Sequence, residues 1–346
     1  MKILIVGPSW VGDMVMAQTL FIALKSEHPD AIIDVLAPQW SRPILERMPE
    51  VNAALDMPVG HGSLQLGMRR KLGQQLSREG YDQAIVLPNS LKSSLVPFFA
   101  GIPKRTGWRG EMRYGFLNDI RLLNKTRYPL MIERFIALGS KSGAALPDPL
   151  PRPNLVVNQA NVAKSLEKYA LDLTRPVLAL CPGAEFGEAK RWPANHYATV
   201  AQHKINEGWQ VWLFGSEKDH AVAEQIKAQL TEKAREHSVN LAGQTSLADA
   251  VDLMSSADAV VSNDSGLMHI AAALGRPLVV LYGSSSPDFT PPLSDQVKVL
   301  RTGIECSPCF KRECPLGHLK CLKDLPAETA LQAMAELLPS TLQTVN

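Results

Sequence analysis

The sequence has no long unbroken apolar run, no surplus of either charge and no repeat of fixed period, and each absence removes a class of protein. Among its longest apolar stretches is residues 260–281, which Asn263, Asp264, His269 and Arg276 interrupt, so it does not read as a membrane span. Lysine and arginine total 36 against 34 aspartate and glutamate, a net charge of +2. A chain so balanced carries no global field for nucleic acid, and any anionic partner must be met locally. Met1-Lys2 runs straight into Ile3-Leu4-Ile5-Val6, without the longer apolar region and small-residue cleavage site of a secretory signal. A cytoplasmic location is therefore expected, with visits to a membrane surface left open. Apart from one proline-rich stretch there is no low-complexity segment, and 45% apolar with 20% charged residues is the composition of a folded enzyme.

At 346 residues the chain exceeds one ordinary core, and two domains are expected. Residues 2–6 form a continuous apolar run, 7–13 break it, 14–24 have helical periodicity and 32–36 read as the next strand. Residues 83–87 supply another strand, followed by the loop Pro88-Asn89-Ser90. Short apolar strands alternating with helices mark an α/β chain with a parallel sheet covered on both faces. Residues 147–153 read Pro-Asp-Pro-Leu-Pro-Arg-Pro, with too many missing amide donors for helix or central strand, and the linker is placed near them. After a helix at 160–169 the rhythm restarts, with strands at 177–181, 210–214, 259–262 and 277–282, and helices at 196–207 and 326–338. The expected domains are 1–155 and 156–346, the last helix being a candidate to pack back on the first. In open α/β sheets ligands bind beyond the carboxyl ends of the strands, so the loops there are the place for chemistry.

The strongest local signal is Ser262-Asn263-Asp264-Ser265-Gly266-Leu267-Met268-His269, where a strand stops at a polar turn and a helix begins. Asp264 or Ser265 could cap that helix, or the amides of its first turn could receive a phosphate; spacing alone fits both. His269 could donate to a diphosphate as a neutral imidazole, pair with it when charged, or be structural. Gly7-Pro8-Ser9-Trp10-Val11-Gly12-Asp13 follows the first strand as a nucleotide loop would, but it lacks the third glycine of a dinucleotide fingerprint. Asp13 sits where a helix begins, either as a first-turn acid favoured by the dipole or as a catalytic carboxylate.

On the loop after the strand at 177–181, Lys190 and Arg191 could stabilise charge on a departing diphosphate or could be solvated surface charge. Glu217 could accept from ribose hydroxyls or serve as a first-turn acid. Arg105, Arg109 and Arg113 lie in a basic segment that suits either an anionic acceptor or a solvated loop. Cys181 stands alone, whereas Cys306, Cys309, Cys314 and Cys321 are crowded enough for one tetrahedral metal. Their spacing matches no standard zinc ribbon, which leaves reduced thiols, a metal and disulfides all open.

Taken together, these segments resemble the ADP-heptose:lipopolysaccharide heptosyltransferases of glycosyltransferase family 9. The likeness is carried by residues 7–13, 87–90, 105–111, 181–187, 190–193 and 263–266, with Pro287-Asp288-Phe289-Thr290-Pro291-Pro292 adding another stretch. It runs from Met1 to about Ser294 and does not embrace the cysteine segment. The resemblance implies the GT-B fold, two Rossmann-like domains facing a cleft, with the acceptor held by the first and ADP-heptose by the second. It implies an inverting, metal-independent transfer onto the first heptose of the lipopolysaccharide inner core, with no cofactor beyond the donor. It further implies Asp13 as general base, Lys190 beside the diphosphate, Glu217 on the ribose and Asp264 on the heptose hydroxyls. Ser265, Gly266 and Leu267 would give amides to the phosphates and His269 would complete that side, while Asn89 joins the arginines on the acceptor side. The implied partner is a lipid-linked anionic glycan met at the cytoplasmic face of the inner membrane. Rival readings are a family member that adds the first or a later core heptose, and an NAD-dependent nucleotide-sugar epimerase. The missing third glycine and the absence of any Tyr-x-x-x-Lys motif speak against the epimerase.

Overall fold

The computed structural model describes residues 1–60, 62–339 and 342. The chain divides into two compact units, Met1–Val156 with Asp288–Thr290, and Val157–Pro287 with Pro291–Asn346. The first unit is built on β1 (Lys2–Val6), β2 (Ile32–Ala37), β3 (Ala53–Asp56), β4 (Gln83–Val86), β5 (Lys104–Trp108) and β6 (Asp119–Arg121), in the spatial order β3-β2-β1-β4-β5-β6. The second repeats the plan with β7 (Val177–Cys181), β8 (Gln210–Leu213), β9 (Ser238–Asn240), β10 (Ala259–Asn263), β11 (Leu278–Leu281) and β12 (Val297–Leu300), in the order β12-β11-β10-β7-β8-β9. All pairings are parallel. The central strands are buried on both faces, which is why β1, β7 and β11 read as unbroken apolar runs.

In each unit the order reverses between the first strand and the fourth, β1 against β4 and β7 against β10. Chains leaving two such neighbours part to opposite sides, and the crevice this opens is where open α/β sheets take ligands. The Gly7 loop and the Pro88-Asn89 loop leave the first switch point, and the Pro182 and Asp264 loops leave the second.

The second unit's core is dominated by Trp192, Tyr197 and Trp209, packed under β7, β8 and β10. The helix Ala327–Leu337 buries Ala330, Ala333 and Met334 in that core and packs on the helix Ala194–Asn206 and on β11 and β12. Among the described residues no helix is long and apolar enough to cross a membrane.

The basic segment of the first unit departs from expectation. Residues 104–108 are not a loop but strand β5, paired on both sides by β4 and β6. Arg105 donates Nε to the Phe116 carbonyl at 2.7 Å and Nη1 to the Ile102 carbonyl at 2.6 Å. Arg113, 1% exposed, donates to the carbonyls of Pro88 at 2.7 Å and Trp108 at 2.5 Å, and to Asn89 Oδ1 at 3.3 Å. Burial pushes its guanidinium down to about 10. Both arginines thus donate to main-chain carbonyls of their own unit, a structural role beside the acceptor-binding one the sequence suggested; Arg105 is half-buried, and Arg109 and Asn89 are exposed.

A consequence can be checked by equilibrium unfolding. Replacing Arg113 by Met strands the Pro88 and Trp108 carbonyls and should lower stability by about 2–4 kcal/mol. An acceptor-gripping arginine would instead leave stability unchanged and raise KM alone.

Candidate functional site

The site of the second unit grows from Asn263, the last residue of β10 and fully buried. Its Oδ1 accepts from the Trp192 amide at 3.0 Å and the Tyr197 hydroxyl at 3.1 Å, and its Nδ2 donates to the Pro182 carbonyl at 2.7 Å. A single side chain therefore ties the turn after β10 to both ends of the loop after β7. That tie brings the next residue, Asp264, against Lys190.

Lys190 Nζ lies 2.5 Å from Asp264 Oδ2, and the Ser285 hydroxyl donates to the same oxygen at 2.5 Å. The two charged side chains are 16% and 5% exposed. Among the described residues Asp264 Oδ1 carries no protein hydrogen bond. The Lys190 ammonium also sits over the Phe186 ring, 5.0 Å from its centroid.

Ser265 is the N-cap of the helix Gly266–Ala273, in extended conformation with φ −147°, and its side chain makes no capping bond. Asp264 is engaged elsewhere, so neither residue fills the capping role that spacing allowed. The first-turn amides of Gly266, Leu267 and Met268 have no partner inside the helix and stand at the positive end of its dipole. His269 is buried behind them. Burial pushes its imidazole down to about 4, with Lys190 acting the same way and Asp264 opposing. The ring is therefore neutral near pH 7.

Glu217 is exposed on the turn Glu217–Asp219 after β8, one strand away from the switch point. Gly243, at φ +76°, passes directly beneath it; a Cβ there would lie 2.8 Å from Glu217 Cα. Asp219 accepts from the Ser216 amide at 2.9 Å and hydroxyl at 2.7 Å, which fixes the turn. Gly183 bears against that carboxylate, where a Cβ would come within 2.4 Å.

In the first unit Asp13 occupies the first turn of the helix Val11–Glu27, half-buried, with Trp10 in extended conformation at the N-cap, where its side chain does not cap the helix. Asn89 leaves the neighbouring strand β4, and Arg109 follows β5. The structure thus gathers Lys190, Asp264, Ser265, Gly266, Leu267 and His269 at one switch point, sets Glu217 on an adjacent loop, and keeps Asp13, Asn89 and Arg109 in the first unit. Ser285 was not foreseen. Its one signal is position: Gly283-Ser284-Ser285-Ser286 follows the apolar strand β11 at its carboxyl end.

Comparison with known proteins bears on this arrangement. Residues 69–320 match the model of glycosyltransferase family 9 (heptosyltransferase). The chain is 53% identical to lipopolysaccharide heptosyltransferase 2 of Escherichia coli (strain K12) over 98% of its own length and 99% of the relative's. It is 52% identical, with the same coverage, to lipopolysaccharide heptosyltransferase 2 of Salmonella typhimurium. Among solved structures it is similar to that of E. coli ADP-heptose lps heptosyltransferase II, with a TM-score of 0.89 and 51% identity, covering 97% of this chain and 98% of that one. On a family match spanning most of the sequence and relatives half identical along nearly all of it, the chain belongs to glycosyltransferase family 9, the heptosyltransferases.

Proposed function

We propose that the chain transfers heptose from ADP-heptose to the first heptose of the lipopolysaccharide inner core, with inversion at the anomeric carbon and with no divalent metal taking part in the step. The observation that carries this reading is the likeness to the heptosyltransferase 2 proteins over almost the whole chain. The Lys190 and Asp264 constellation at a helix N-terminus supports it, because it offers a diphosphate both a cation and oriented amides.

In this reading the acceptor hydroxyl attacks the anomeric carbon and passes its proton to the Asp13 carboxylate. The bond between that carbon and the β-phosphate oxygen breaks, and ADP leaves with the electron pair. Lys190 and the amides of Ser265, Gly266 and Leu267 meet the charge that builds on the departing diphosphate. Neutral His269 donates to a phosphate oxygen. Glu217 accepts from the ribose hydroxyls. Ser285 and Lys190 hold Asp264 by Oδ2, which leaves Oδ1 to accept from the heptose hydroxyls. Exposed Arg109 and Asn89 serve the anionic acceptor. Its lipid anchor would bring the reaction to the cytoplasmic face of the inner membrane.

The activity is tested by measuring ADP release from ADP-heptose with a panel of truncated core acceptors. Turnover is expected only where the acceptor ends in the first heptose. Equal turnover on an acceptor lacking that sugar would move the chain to the enzyme that adds the first heptose.

Asp13→Asn should lower kcat by about 10²–10⁴-fold while leaving ADP-heptose affinity within a few-fold, as read by calorimetry beside the turnover assay. Unimpaired turnover would remove Asp13 as base.

The buried imidazole also sets a pH dependence. His269 has an ordinary pKa of 6.5 and a folded value of about 4, so between them the unfolded chain binds the extra proton. Stability should therefore fall as pH drops through that window, by at most about 1.4 kcal/mol per pH unit from this group. His269→Gln should flatten that part of the stability profile in thermal unfolding; an unchanged slope would mean that the ring is protonated in the folded chain.

A further inference from the structure

The segment after β12 holds none of the stretches on which the resemblance rested, although the family match runs on to residue 320, and it is irregular from Arg301 to Leu319; four of the chain's five cysteines fall in or just beyond it. Cys306, Cys309, Cys314 and Cys321 line one small cavity together with Ala189 and Ser284. None of the four is in a disulfide. Three of them are only partly buried on a backbone without helix or strand, which is not how cysteine serves as a small core hydrophobe. The turn after Cys314 folds back on that residue, with Gly317 at φ +68° and Leu319 at φ +54°. The turn is closed by the Gly317 amide, which donates to the Cys314 carbonyl at 3.0 Å, and by the Lys320 amide, which donates to His318 Nδ1 at 3.0 Å.

The same segment is bolted to the loops of the candidate site. The Ala189 amide, next to Lys190, donates to the Arg312 carbonyl at 3.1 Å. The Phe310 amide donates to the Ser284 carbonyl at 2.6 Å, and the Ser307 hydroxyl to the Gly283 carbonyl at 2.6 Å. The Arg312 guanidinium shares the Phe186 ring with Lys190. Whatever orders the cysteine segment therefore orders the loops that carry Lys190 and Ser285.

We propose that Cys306, Cys309, Cys314 and Cys321 bind one thiophilic metal ion, zinc or iron, as a tetrathiolate that braces the Lys190 and Ser285 loops. Among the described residues no three such side chains are already arranged to hold a metal, so coordination turns the thiols inward about χ1, which repositions sulfur without moving backbone. Each thiol gives its proton to water and forms a metal–sulfur bond of about 2.3 Å. One divalent ion and four thiols thus yield a site of charge −2 and four protons, and Lys311, Arg312, Lys320 and Lys323 lie along the same segment to offset that charge. The metal takes no part in transfer. Its effect on the donor rests on the function proposed above, whereas the site itself does not.

The test is elemental analysis of the full chain, purified without chelator under inert gas and with no substrate present. One zinc or iron per chain is expected, iron being distinguished by visible charge-transfer absorption that appears once air oxidises the ferrous site to ferric, a change that zinc cannot undergo. Cys309→Ser should lose the metal and raise KM for ADP-heptose more than it lowers kcat. Because that variant could fail to fold, wild-type chain expressed in cobalt-supplemented medium provides a second reading, with absorption bands of tetrahedral cobalt thiolate expected. A wild-type chain with no bound metal and no cobalt bands, its four thiols either freely titratable or joined in disulfides by mass spectrometry, would overturn the proposal. A metal-bearing chain inactive on every acceptor would count against the proposed function and leave the site standing.

Discussion

The second unit's site depends on one contact, the ion pair of Lys190 with Asp264 at the N-terminus of the helix Gly266–Ala273. Taking two charges out of water costs several kcal/mol per ion, and such a pair seldom repays that in stability. The pair is retained in a position that needs considerable construction: Asn263 pins the two loops together, Ser285 supplies a further donor, and buried His269 stays neutral behind. A cost of this kind is intelligible where the charges have a ligand to meet. A dianionic diphosphate between the ammonium and the helix amides is such a ligand, and it would rearrange the pair instead of leaving it closed on itself.

The position of the contact follows from topology. Two sheets with one strand order each reverse direction beside their first strand, and each reversal opens a crevice at the carboxyl ends. The first unit sets Asp13 at its reversal, and the second sets Asp264 and Lys190 at its own. A repeated fold has thus acquired different chemistry at equivalent places, a carboxylate at a helix mouth in one and a cation with amides in the other.

Much of this was legible in the sequence, and what escaped did so for physical reasons. Strands buried on both faces announce themselves as apolar runs, so β1, β2, β4, β7, β8, β10 and β11 were read within a residue or two. The strands that escaped are Ala-Ala-Leu-Asp, Lys-Arg-Thr-Gly-Trp, Asp-Ile-Arg, Ser-Val-Asn and Val-Lys-Val-Leu, which lie toward the sheet edges and are short or interrupted by polar residues. Arg113 looked like a surface cation because burial of a guanidinium requires carbonyls that only the folded loop supplies. Ser285 meets Asp264 from 21 residues away through the parallel pairing of β10 with β11, which no local pattern encodes. The cysteines were visible as a crowd, but the cavity that unites them appears only once the turn after Cys314 is folded.

The central claim, that Lys190 and its helix amides form a diphosphate seat, is tested most directly by calorimetric titration of ADP and AMP into the wild-type chain and a Lys190→Gln variant shown to be folded. The account expects ADP to bind more tightly than AMP to the wild type, and the variant to lose about 10–100-fold for ADP with little change for AMP. Equal affinity of the two proteins for ADP would contradict it.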